Sequence, residues 1–161
     1  MKLERSAGIL CHITSFPAKS GSGTLGREAF EFIDLIAEAG FSFLQILPVG
    51  PVSPAMAWSP YSSVSAFAGN ELFIDIESLA AEKWNRTELT PLRGEESRSA
   101  DFFAVRENTR ECLIKSFHDF VLHGDDRDRM AFSRYCDANN EPWLDDYALF
   151  VSIAHSRQSN D

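Results

Sequence analysis

The stretch from Trp58 to Ile76, WSPYSSVSAFAGNELFIDI, sets Trp58, Tyr61 and Phe67 among small polar residues. A tyrosine offers an apolar face and a polar tip, which suits a platform for a sugar or another ligand. It equally suits a side chain that packs its own loop, and the residues alone leave both readings open. His12 follows an apolar run and could be catalytic or could hold its loop together. Gln45 lies within an apolar segment and needs a partner, in a pocket or on neighbouring backbone. Carboxylates are plentiful, but their spacing composes no catalytic pair. Glu28, Glu31, Asp34 and Glu38 read as the wet side of a helix, and Asp75 or Glu77 could cap a helix that follows them. Glycoside chemistry needs two carboxyls facing one bond across a cleft, and no two acids here can be named for that task. Cys112, His118 and His123 lack metal-ligand spacing, so no metal is expected; no cofactor is implied either.

These residues must be positioned by short elements. Ala7 to Ile13 (AGILCHI) is apolar and bounded by turn residues, so it reads as a buried strand. The loop TSFPAKSGSGTLG follows, with Thr24 as the expected N-cap of a helix. Ala29, Phe32, Ile33, Ile36 and Ala39 give that helix one apolar face, and Gly40 ends it. Phe41 to Leu47 (FSFLQIL) is a second strand, stopped by Pro48. Strand, helix and strand with such short links predict a parallel βαβ unit with a right-handed crossover.

Leu72 to Ile76 (LFIDI) is expected as a third, shorter strand. Trp84 to Ser99 reads as loop. Phe102 to Val121 predicts an amphipathic helix with Val105, Leu113, Phe117 and Phe120 on its buried side. Gly124 to Arg129 is a charged break whose DDRDR run reads as a solvated helix start. Met130 to Asn140 and Trp143 to His155 read as two more helices. The first half is therefore α/β and the second helical. Two or three parallel strands leave open edges and a bare face, so either the helical half covers them or they begin a larger barrel. In either case, loops 12–24 and 48–70 should leave the same edge of the sheet. That edge carries the active site in parallel α/β barrels.

Composition narrows the partners. Of 161 residues, 44% are hydrophobic and 24% charged, which is a folded rather than a disordered profile. The formal net charge of -9 argues against nucleic acid and against an anionic membrane surface as partners. No run approaches the roughly 20 apolar residues of a membrane span. The N-terminal MKLERSAGILCHITSFP is interrupted by His12 and has no small-residue cleavage site, so no signal peptide is expected. The three cysteines, Cys11, Cys112 and Cys136, stand at unrelated spacings and predict free thiols in a reducing cytoplasm.

Several stretches together resemble the N-terminal part of the amylomaltases, bacterial 4-α-glucanotransferases similar to plant disproportionating enzyme. They are RSAGILCHITSFPAKSGSGTLGREAFEFIDLIAEAG, LQILPVGPV, SPYSSVSAFAGNELFIDI, DFFAVRENTR and EPWLDDYALFVSI, in the family's order and over nearly the whole chain. The combination of Gln-x-Leu-Pro, Ser-Pro-Tyr-x-Ser and Ser-Ala-Phe-Ala-Gly-Asn is highly specific. The resemblance implies a (β/α)8 TIM-type barrel, with residues 1–80 as its first βα units and pocket loops and 81–161 as a helical insertion subdomain. It implies transfer of α-1,4-glucan segments between maltooligosaccharides with retention, through an Asp nucleophile, a Glu acid/base and an assisting Asp.

By the same resemblance Tyr61 lines the subsite of the glucose at the cleaved bond, and Ser59 is a sugar contact. The family's catalytic acids belong to strands beyond the segment ending YALF, so none is expected within these residues. Asn70-Glu71 replaces the usual Asn-Pro. Met56 stands near the place of an aromatic residue that serves a secondary glucan site in some members, so that site is not expected here. A non-catalytic glucan-binding module and an inactive truncated product are the alternative readings.

Overall fold

The two strands of the sheet are three residues each: β1, Gly8–Leu10, and β2, Phe43–Gln45. The computed structural model describes residues 5–19, 21–92 and 100–158. The strands run parallel in the register Gly8↔Phe43, Ile9↔Leu44 and Leu10↔Gln45. Helix α1, Arg27–Glu38, makes the crossover. Its apolar spacing works largely as expected: Ala29 and Ile36 are buried and Phe32 packs on the core, while Ile33 stays 42% exposed. Gly40, in the left-handed region at φ 87, ends the helix, and its N–H returns to the Ala37 carbonyl at 2.9 Å.

Thr24 does not cap α1. Gly26 stands at the N-cap instead. The preceding residue, Leu25, donates its N–H to the Phe73 carbonyl at 2.8 Å, and this bond draws the chain past Thr24 before it can coil.

The strands are more open than their apolar sequences predict. Leu10 is 60% and Phe43 63% exposed, and Gln45 is exposed rather than buried. Side chains alternate across a strand. Leu44 packs towards α1 and the core, so Phe43 and Gln45 stand on the other face, which no described element covers.

The expected third strand is absent among the described residues. LFIDI folds instead as a 3-10 turn, Glu71–Phe73, and a short helix α2, Ile76–Ala80. Two side chains decide this: Asn70 Oδ1 accepts the Leu72 N–H at 3.0 Å, and Asp75 Oδ2 accepts the Ser78 N–H at 3.0 Å. Each satisfies an amide that a strand would have offered to a neighbour, and so nucleates a turn. Leu72, Phe73 and Ile76 are still buried, as apolar residues should be.

The second half is helical: α3, Phe102–His123; α4, Asp126–Asn139; a π-helical turn, Asn140–Leu144; and α5, Asp145–Gln158. The charged run does start α4, with Asp125 Oδ1 accepting the Asp128 N–H at 2.9 Å. The first part of the expected loop, residues 84–92, is irregular, whereas 93–99, Gly94 among them, and the N-terminal residues 1–4 lie outside the described residues.

The buried side of α3 is only in part the one expected. Val105 is buried, but with it go Thr109, Cys112, Ser116 and Asp119, whereas Phe117 is 52% exposed. A carboxylate goes inward because it has work there. Asp119 Oδ2 accepts the backbone N–H groups of Arg86 and Thr87 at 2.7 and 2.6 Å. Those two bonds hold its pKa below the usual carboxylate value. Asn108 ties the same segment about three turns earlier on α3, accepting from Leu92 and donating to the Thr90 carbonyl.

Among the described residues two clusters form the core. Ile13, Phe16, Ala29 and Phe73 pack together with Cys11, Phe32 and Leu44 against them, and Ile76, Leu89 and Cys112 join α2 to α3. Cys11, Cys112 and Cys136 carry free thiols. Among the described residues no helix is long and apolar enough to cross a membrane.

Candidate functional site

Because β1 and β2 are parallel, the loops that follow them leave the same edge of the sheet, and Ile13 of the first loop belongs to the core cluster with Phe73. The first loop is organised by His12. Its Nδ1 accepts the Thr14 N–H at 3.3 Å and pairs with the Thr14 hydroxyl at 2.7 Å, which caps a 3-10 turn, Ile13–Ser15. The imidazole meets the Phe73 ring edge-on with centroids 5.7 Å apart, and burial pushes its pKa down. Of the two roles open to His12, the geometry shows the loop-holding one.

The second loop begins with Pro48 and closes where the Asn70 N–H reaches the Val49 carbonyl at 2.8 Å. Ser59, Ser63 and Ser65 serve the loop's own backbone. Ser59 Oγ accepts the Tyr61 N–H at 3.3 Å. Ser63 donates its hydroxyl to the Ser65 carbonyl at 2.8 Å, and Ser65 Oγ accepts from Phe67 and Ala68 at 3.2 and 3.0 Å. Short hydroxyl side chains let a loop satisfy its amides without a ladder. Gly50 is required by close approach: a Cβ there would stand 2.4 Å from Ser63 Oγ. The result is a folded-over loop with the Ser-Pro-Tyr corner on the outside. Tyr61 is 73% exposed and Ser59 half-buried. The Ser59 hydroxyl, used as an acceptor, keeps its own proton to donate.

Aromatic contacts on this loop were not legible in the sequence. Trp58, at φ 59 directly after Ala57 at φ 50, rests on α3 with its indole 5.8 Å from the ring of Phe102 and 5.1 Å from that of Phe103. Two consecutive non-glycine residues in this region are strained by about 1–3 kcal/mol each, so tertiary contacts must hold them. Phe67 stacks on Trp143 at 6.3 Å and 21°.

A polar cavity of about 100 Å³ also escaped sequence reasoning; Glu28, Asp75, Glu77, Lys19 and Asn108 are among its lining residues. It is small against the roughly 300–1,000 Å³ of ligand pockets. Asp75 is already committed to Ser78, whose hydroxyl donates to it at 2.5 Å. Among the described residues no cluster of three His, Cys, Asp or Glu side chains could hold a metal ion.

Residues 11–161 match a family model described as 4-alpha-glucanotransferase. A 4-alpha-glucanotransferase of Aquifex aeolicus is 41% identical over 152 residues, covering 92% of this chain and 29% of that protein. That of Thermus thermophilus is 37% identical, covering 95% and 29%, and the chloroplastic/amyloplastic enzyme of Solanum tuberosum is 34% identical, covering 94% and 27%. The fold matches a solved amylomaltase from Streptococcus agalactiae in complex with acarbose with a TM-score of 0.79 and 33% identity, covering 95% of this chain and 30% of that one. The chain thus spans less than a third of the length of these relatives.

Proposed function

The chain belongs to the 4-alpha-glucanotransferase family, and from that premise we propose that its residues form the early barrel and one wall of the donor-sugar pocket of a glucanotransferase. Residues 1–80 are the first βα units of a (β/α)8 barrel, and 81–161 its helical subdomain. The reaction is transfer of α-1,4-glucan segments between maltooligosaccharides with retention. The observation that carries the reading is the family match over residues 11–161, and the parallel sheet with both long loops at one edge agrees with it.

Tyr61 offers its ring face to the glucose at the cleaved bond, and the Ser59 hydroxyl donates to a sugar oxygen. A retaining reaction needs a nucleophile and an acid/base about 5–5.5 Å apart on one glycosidic bond. By the family resemblance that pair stands on barrel strands other than those described. The bare face of the strands, with Leu10, Phe43 and Gln45 on it, suits the interior of a barrel whose remaining strands would cover it. Free thiols fit a cytoplasmic setting.

The test is maltotriose disproportionation by the complete enzyme, read by chromatography of glucose and longer maltodextrins. Tyr61→Ala should lower transfer by at least about tenfold, the effect of one lost platform at the reacting sugar. Trp58→Ala should cost less. Wild-type rates in Tyr61→Ala would overturn the pocket-wall assignment.

A further inference from the structure

The loop that carries Ser59 and Tyr61 is fastened to the helical half on either side of them. Before them, the left-handed backbone at Ala57 and Trp58 is held by the Trp58 indole on Phe102 and Phe103 of α3. After them, Phe67 lies parallel to Trp143. Trp143 is itself fixed: its indole N–H donates to Asn139 Oδ1 at 3.0 Å, and Tyr147 stands 6.1 Å away on α5. It sits on the π-helical turn between α4 and α5, a rare inserted residue that re-aims side chains and occurs often at functional sites. Just past the loop, Glu71 meets Arg106 of α3 at 3.9 Å. Between these anchors the described hydrogen bonds of residues 59–68 stay within the loop.

We propose that Trp58 and Trp143 are positioning residues: the helical half clamps this loop on both sides and so sets where Ser59 and Tyr61 stand for glucan binding. The proposal rests on the glucan reading of Tyr61. Its physical content is a population. With the clamp, the binding-competent loop dominates; without it, only a fraction of molecules can bind, and the apparent affinity falls by that fraction. Chemistry in the molecules that do bind is little changed. The clamp therefore acts on KM rather than on kcat.

The experiment pairs amide hydrogen exchange with steady-state kinetics on maltotriose in the full-length protein. Trp143→Ala should speed exchange across residues 59–68 by about threefold and leave α3 at the wild-type rate: a lost aromatic pair shifts the loop equilibrium at most about tenfold, which takes the competent fraction from about three-quarters to about a quarter. It should raise KM by a similar factor with kcat held within about twofold. Trp143→Phe, which keeps a ring against Phe67, should restore both. Asn139→Ala, which removes only the indole's acceptor, should move both in the same direction by less.

Wild-type exchange over 59–68 in Trp143→Ala and Asn139→Ala overturns the clamp. So does faster exchange throughout α3 that Trp143→Phe fails to relieve, which is general destabilisation. If exchange responds as stated but KM does not, the positioning role falls. If exchange responds and the wild-type protein turns over no maltotriose, the glucan reading falls and the clamp stands.

Discussion

Replacing Phe73 by alanine removes the ring on which the loop after β1 rests. Phe73 is 4% exposed and packs with Ile13, Phe16 and Ala29. His12 meets its ring, and its carbonyl accepts the Leu25 N–H at 2.8 Å. Truncating a buried phenylalanine costs about 3–5 kcal/mol, from lost transfer energy and the cavity left behind. A chain of this size has about 8 kcal/mol of net stability at the low end of the usual range, and the uncovered strand face places it there. The variant should therefore retain roughly half of the wild-type stability, and its thermal midpoint should fall by about 10 °C.

Urea unfolding of the 161-residue polypeptide, followed by far-ultraviolet circular dichroism, measures the cost. Phe43→Ala is the control: at 63% exposure it should change stability by no more than about 0.5 kcal/mol. A Phe73→Ala cost under about 1 kcal/mol, against the range expected for buried rings, would refute the assignment of Phe73 to the core. Equal costs for the two variants would refute it as well. In the complete enzyme, where barrel strands are proposed to cover Phe43, the control should become as costly as Phe73→Ala.

A polypeptide of these 161 residues should release no glucose from maltotriose, and sustained disproportionation that stays with it through gel filtration would mean that a carboxylate pair lies within it. His12 has a pKa lowered by burial, so its contribution to stability is present above the unfolded value of 6.5 and is lost as the pH falls. His12→Asn keeps a capping side chain without titrating, and its urea midpoint should fall less than the wild type's between about pH 7.5 and 5. Asp119 has a lowered carboxylate pKa, so its contribution is present above 3.8 and is lost as the pH drops through the folded value. Asp119→Ala should be less stable at neutral pH and show a flatter acid limb; a wild-type acid profile in that variant would remove Asp119 from its role.

Much of the frame is decided by patterns that lie within a few residues of one another. The apolar runs around Ile9 and Leu44, the helical spacing between them and Gly40 predict the parallel βαβ unit, and α3 runs from Phe102 to His123 close to its predicted bounds. The common edge of the two loops follows from that unit, which is why Tyr61 could be singled out as a candidate; Ser59 is implied by the family resemblance. The motifs that carry the family resemblance are local as well, and the family match over residues 11–161 agrees with them.

Other features depend on partners distant in sequence or on competition that periodicity does not register. LFIDI alternates like a strand, but Asn70 and Asp75 offer its amides closer acceptors, and turns win. The inward side of α3 is set by two N–H groups at Arg86 and Thr87, which make burying Asp119 favourable and leave Phe117 half outside. Serines of the second loop satisfy its own backbone, as Ser65 does for Phe67 and Ala68. The stack of Phe67 on Trp143 joins residues far apart in the chain and depends on a π-helical turn. Local side-chain spacing encodes which segments coil or extend; only the assembled surfaces decide which amide finds which carboxylate and which ring finds which ring.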